Sequence, residues 1–110
     1  MPKFITYFSY TANAAKAMID RPSDRNAAAK ALAESLGGSL DSFYWMQGKK
    51  DGFLITTLPD ATAAAALSAA VGSTGAITGC ETHQIFDHDE QAAIVQQAGV
   101  ALKAYRPPTA

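Results

Sequence analysis

The stretch Ser39-Leu-Asp-Ser-Phe-Tyr-Trp-Met46, continued by Gln47-Gly-Lys-Lys-Asp-Gly52 and Phe53-Leu-Ile-Thr-Thr-Leu58, decides how the chain is read. Two runs rich in aromatic and β-branched residues flank a short polar loop ending in Asp51-Gly52. Such residues favour extended backbone, and Asp and Gly tolerate the positive φ of tight hairpin loops, so the stretch predicts a β-hairpin. On the first run Phe43 and Trp45 share one face, and Leu40, Tyr44 and Met46 the other. On the return run Phe53, Ile55 and Thr57 alternate with Leu54, Thr56 and Leu58. Neither parity is polar, so both faces of this hairpin need cover.

Upstream, Lys3–Tyr10 sets Phe4, Thr6, Phe8 and Tyr10 against Ile5, Tyr7 and Ser9, and both sets again carry apolar bulk. This predicts a strand central in its sheet. Thr11 is an acceptable N-cap for a short alanine-rich helix that Arg21-Pro22 interrupts. A second helix restarts at Pro22 or Ser23 and runs to Leu36, with Ala28/Ala29, Leu32, Ala33 and Leu36 on one stripe and Gly37-Gly38 as its end. Arg25, on its first turn, reads as a solvated helix residue, with a ligand contact as the alternative.

Downstream, Pro59 stops the hairpin and Asp60 caps a helix from Ala61 to about Val71, with Leu67 and Val71 on its buried stripe. Gly72–Gly75 reads as a loop. Ile77–Phe86 predicts a fourth strand, with Thr78, Cys80, Thr82, Gln84 and Phe86 on one parity, Ile77, Gly79, Glu81, His83 and Ile85 on the other, and a bulge at Gly79. Asp87 and Glu90 have capping-box spacing at the start of a last helix carrying Ile94, Ala98, Ala101/Leu102 and Tyr105. Asp87-His88-Asp89-Glu90 reads as a helix start rather than a metal site, because adjacent residues in a first turn point in different directions.

The order strand, helix, strand, strand, helix, strand, helix makes two β-α-β halves. That is the split βαβ, ferredoxin-like plan of the α+β class: an antiparallel four-stranded sheet, helices on one face and an extra C-terminal helix. Three helices cannot cover both sides of a sheet that is apolar front and back. A second copy packed sheet to sheet about a two-fold axis solves the problem, so the expectation is a homodimer. A helix folded over the back of its own sheet is the alternative.

The 110 residues suit one domain, expected over residues 1–105 with 106–110 as a frayed tail. With 48% hydrophobic and 17% charged residues, a net charge of -1 and a pI near 6.0, the chain offers no basic field for nucleic acid or anionic lipid. Cys80 is the only cysteine. It excludes an intrachain disulfide, fits a reducing compartment, and reads as a buried inert thiol. The first ten residues are too short and polar for a secretory core, and no segment approaches a membrane span, so a cytoplasmic location and no membrane partner are expected.

The run Ala31–Leu40, then Ser42-Phe-Tyr-Trp45, then Gly48-Lys-Lys-Asp51, together with Arg25, Pro59-Asp60-Ala61 and Gly72-Ser-Thr-Gly75, resembles the GYD-domain family over roughly Lys3 to Phe86. That resemblance implies the dimeric α+β barrel group. The family's Gly-x-Tyr-Asp pattern has Lys50 in place of its tyrosine, so a site lined by that tyrosine is altered here. The resemblance supplies architecture more than chemistry, and names no cofactor.

No nucleophile elbow, phosphate loop, dinucleotide fingerprint or His/Cys metal spacing is present. His83, the strand histidine, reads first as a half-buried structural residue, and as the candidate general base near neutral pH in the alternative. Tyr7, Tyr44 and Trp45 are candidate companions, and Asp51 is either a turn residue or a site carboxylate. Both sheet parities are compatible with a pocket. The leading expectation is a homodimeric domain that binds a small apolar or aromatic ligand between sheet and helices, oriented by His83 and Tyr7. A cofactor-independent oxygenase or isomerase follows only by analogy with the fold group. A non-catalytic interaction or stress-associated protein is the other alternative.

Overall fold

A computed structural model describes residues 1–109. Its elements are β1 (Lys3–Tyr10), α1 (Ala12–Asp20), α2 (Arg25–Ser35), β2 (Ser39–Trp45), β3 (Gly52–Thr57), α3 (Ala61–Ser73), β4 (Ile77–Ile85) and α4 (His88–Ala104). The strands form one antiparallel sheet in the order β2-β3-β1-β4, which is the ferredoxin-like arrangement read from the sequence. The expected tail, 106–110, ends in Ala110, which lies outside the described residues.

Side-chain oxygens start every helix. Thr11, Asp24, Asp60 and Asp87 each accept from the backbone N–H three residues on, satisfying one of the donors left free in a first turn. Glu90 closes the capping box by accepting from the Asp87 N–H. The start of α2 differs from the sequence expectation: Asp24, not Pro22 or Ser23, is the cap.

Alternation places Phe4, Thr6 and Phe8 of β1 and Leu54, Thr56 and Leu58 of the β3 run on the helix side, where all are buried. Ala63, Ala64 and Leu67 of α3 meet Phe4 and Leu58 there, with Leu32, Leu36 and Val71 packed at the margin. Alanine lets both covering helices lie close to the sheet. α2 lies over β2 and α3 over β4.

Two bulges change the faces that strict alternation assigns. Leu40 pairs with Thr56 and Ser42 with Ile55, leaving Asp41 as the extra residue. Leu40 therefore shares the helix side with Phe43, not the outer side with Tyr44. In β4, Gly79 pairs with Ser9 but Ile77 with Tyr10, so Thr78 is the extra residue beside the expected glycine. Ile77 thereby joins Cys80 on the helix side.

The hairpin loop also differs in detail. Gly48, at φ 128°, carries its positive φ, and among the described residues none other than glycine has one. Gly52 is required for close approach instead: a Cβ there would stand 2.5 Å from the Tyr44 carbonyl oxygen and 2.6 Å from Phe8 Cζ.

The last helix projects from the body. Every residue of α4 is exposed, Ile94, Val95, Val100, Leu102 and Tyr105 among them. The radius of gyration is 17.6 Å, where a compact chain of this length has about 13 Å. The helix is therefore not folded over the back of its own sheet.

Gly52→Ala should destabilise the fold by about 1–3 kcal/mol through overpacking. Gly72→Ala, on a helix with nothing within 4 Å of the added methyl, should be neutral or gain up to about 1 kcal/mol. Urea unfolding of the two variants checks the contrast.

Candidate functional site

The helix side of the sheet is not fully filled. A cavity of about 160 Å³, partly open to solvent beside Ala28 and Thr74, lies between the sheet below and α2 and α3 above. Leu32, Phe43, Leu54, Leu67, Val71 and Ile77 supply its apolar wall. Alanines at 28 and 29 on α2 leave the space, because a methyl group reaches less far toward the sheet than a leucine would. Towards β4 the polar lining groups, Thr6 and Cys80, are satisfied by neighbours behind the wall. Thr6 Oγ1 and Thr82 Oγ1 are 3.0 Å apart, Ser68 Oγ is 3.0 Å from Thr82 Oγ1, and Cys80 Sγ donates to Ser68 Oγ at 3.7 Å. The Cys80 thiol is half-buried and lines the cavity.

Tyr10 and Arg25 line this cavity and also two shallower hollows beside α1. Trp45 and Asp51 border one of these hollows with Met18 and Met46. Above them stands an aromatic group of Phe8, Tyr10, Phe43 and Trp45, with neighbouring ring centroids 5.3–6.0 Å apart in mostly tilted or edge-on pairs.

Asp51 holds this end of the sheet together. Its Oδ2 accepts from the Tyr10 N–H at 2.7 Å, its own N–H donates to the Phe8 carbonyl at 2.9 Å, and its carbonyl accepts from the Met46 N–H at 2.7 Å. One residue thus joins the hairpin loop to the end of β1, just where β4 bulges.

The outer face has different chemistry. The register sets Ile5 beside Ile55, and Tyr7 beside Phe53, which faces Tyr44 on β2. Tyr7 and Phe53 have ring centroids 5.9 Å apart, and Tyr44 stacks on Phe53 at 5.4 Å. Ile85 extends the apolar surface on β4. Polar groups border it. At one end Asp41 accepts from Lys3 Nζ at 2.9 Å, Thr57 Oγ1 at 2.6 Å and Ser39 Oγ at 3.1 Å. At the β4 edge His83 Nε2 lies 2.9 Å from Glu81 Oε2, both side chains more than half exposed.

The structure therefore separates the residues singled out in the sequence. Trp45 and Asp51 stand together on the helix side near the cavity. Tyr7, Tyr44 and His83 stand on the outer face, so His83 and Tyr7 do not orient a ligand held between sheet and helices. The reason is register: Ile5 pairs with His83 and Tyr7 with Glu81, which puts these side chains on the parity opposite Phe4, Thr6 and Phe8. Sequence reasoning missed Thr6 and Cys80 as lining residues, and it ranked the ligand contact at Arg25 behind a solvated role. The available signal for Arg25 was electrostatic, since a cation at a helix N-terminus opposes the helix dipole.

Burial raises the Asp41 pKa, but the hydrogen bonds from Thr57, Lys3 and Ser39 and the Lys3 charge outweigh it and hold the carboxyl below its ordinary value. The hydrogen bond from His83 lowers the exposed Glu81, and Lys50 contributes weakly in the same direction. Among the described residues no three His, Cys, Asp or Glu side chains cluster as a metal site, and no helix is long and apolar enough to cross a membrane.

A model of the GYD domain matches residues 4–95. The chain belongs to the GYD-domain family. The structure gives the family's pattern a physical meaning here: Gly48 supplies the positive φ of the loop and Asp51 ties it to β1. Lys50, in place of the tyrosine, adds a charge near Glu81. No curated protein and no solved structure shows significant similarity to the chain.

Asp51→Ala removes a part-buried charge-assisted bond and should cost about 1.5–3 kcal/mol in urea unfolding. The depressed Asp41 pKa contributes stability that is present above the unfolded value of about 3.9 and is lost as pH falls through the folded value. Asp41→Asn should therefore lower stability at pH 7 and flatten its decline below about pH 4. Parallel urea titrations at pH 7 and pH 3 read both effects.

Proposed function

We propose that the protein is a small-molecule-binding domain of the dimeric α+β barrel type, working as a homodimer. The mostly apolar, partly open cavity between the sheet and α2/α3 carries this reading. Protein interiors are close-packed, and gaps of this size are few and costly in an ordinary core. A cavity that opens toward an aromatic group and a half-buried arginine has the composition of a ligand site: mostly apolar walls with a few placed polar groups.

The outer face supports the assembly. Four strands about 4.8 Å apart and roughly 25 Å long present a face of about 500 Å² in projection. With the relief of its side chains and the added surface of α4, this approaches the roughly 800 Å² per partner of a stable interface. Its apolar centre with charged pairs at the margin has the anatomy of a protein–protein contact. α4 strengthens the argument. A single helix of this length with no tertiary packing is marginal in water, yet it displays a row of large apolar side chains. A second copy of the chain is the partner that offers an apolar surface complementary to both.

Native mass spectrometry of the protein as purified tests the binding reading. A small molecule retained by the wild type should be lost in Ala29→Phe, whose ring fills the cavity from α2. Unchanged retention in that variant would place the ligand elsewhere. Phe53→Glu, at the centre of the outer face, should weaken self-association at least about tenfold, since it buries an unpaired carboxylate. Size-exclusion chromatography coupled to light scattering measures it, and an unaltered elution mass would rule out the face.

A further inference from the structure

We infer that the ligand of the helix-side cavity is a small monoanion, an apolar body the size of one six-membered ring bearing a carboxylate, and that Arg25 is the partner of that carboxylate. This rests on the binding reading above and adds the ligand's chemistry to it.

Size comes first. A cavity of about 160 Å³ matches the roughly 150 Å³ space in which an apolar core accepts benzene. The body of the ligand is therefore a single ring or an alkyl group of similar bulk. The lining groups Thr6 and Cys80 call for no polar substituent, because they already bond Thr82 and Ser68 behind the wall.

Charge comes second. Arg25 is the cation in the cavity lining, and no carboxylate lines the cavity with it. It is half-buried, it forms no ion pair among the described residues, and its hydrogen bond is a long one, from Nη1 to Ser23 Oγ at 3.4 Å. No carboxylate pairs with it among the described residues: Asp24 Oδ1 accepts from the Ala27 N–H, and Asp51, which borders the neighbouring hollow with Arg25, turns Oδ2 to the Tyr10 N–H. Arg25 is also the first residue of α2, where the free amide donors and the dipole already favour negative charge. A cation set there against the dipole, half out of water and without a counter-ion, is stabilised by an anion arriving from the cavity side.

Geometry selects the anion. A guanidinium presents two parallel N–H donors that match a carboxylate. A phosphate dianion would need further donors, and the lining offers no second cation. A neutral ligand would leave the guanidinium desolvated and unpaired.

The test uses the full chain, with benzoate as probe and benzamide as its neutral counterpart, each titrated by two-dimensional NMR at low salt. Benzoate should bind at least about tenfold more tightly than benzamide and shift amides along α2 and β1. Arg25→Gln should abolish that preference, and Arg25→Lys should restore part of it. Equal affinities in the wild type, or a preference that survives in Arg25→Gln, would overturn the anion assignment while leaving the cavity as a binding site. Failure of both probes to perturb cavity residues would remove the binding reading and this inference with it.

Discussion

The structure depends on a sheet whose strands carry bulk on both parities. In β1, Phe4 and Phe8 enter the helix-side core while Ile5 and Tyr7 face outward. In β3, Leu54 goes in while Phe53 and Ile55 go out. A two-residue side-chain period makes it impossible to bury both sets under helices that cross one side. The consequences divide cleanly. One side is covered by α2 and α3 and retains a cavity. The other, stacked around Phe53, is left among the described residues as an apolar surface that no helix covers.

The Asp51 contacts connect the hairpin to this plan. The β2–β3 loop must return without displacing Phe8, which Gly52 achieves by having no side chain, and it must be held against the end of β1, which Asp51 achieves through the Tyr10 and Phe8 backbones. The same end of the sheet bears Tyr10 and Trp45, and α1 and Arg25 close over it. Gly48 and Asp51 thus act as scaffold for this end of the sheet. The position occupied by Lys50 is electrostatically coupled to the outer face.

The fold was legible in the sequence because its signals are local. Strand parities, Thr11, Asp60 and the Asp87–Glu90 box, and the proline and glycine breaks all act within a few residues, and they led to the observed ferredoxin-like order. The site was less legible because its determinants are not local. The bulge at Asp41 is set by pairing with β3 and by the bonds from Lys3, Ser39 and Thr57, and it moved Leu40 to the face of Phe43. The bulge beside Gly79 moved Ile77 in the same way. A cavity is a place where side chains fall short, and Ala28 and Ala29 read in a sequence as close packing. His83 attracted attention through its chemistry, yet register with Ile5 puts it outside. Arg25 looked like one more solvated residue until the elements around it were placed.

The central claim is that the outer face is covered by the same face of a second chain. Isotope-filtered nuclear Overhauser spectroscopy on a mixture of labelled and unlabelled protein tests it directly. The account requires contacts between copies at Ile5, Tyr7, Phe53 and Ile55. A spectrum without contacts between copies at these residues, in a sample concentrated to the millimolar range, would contradict it.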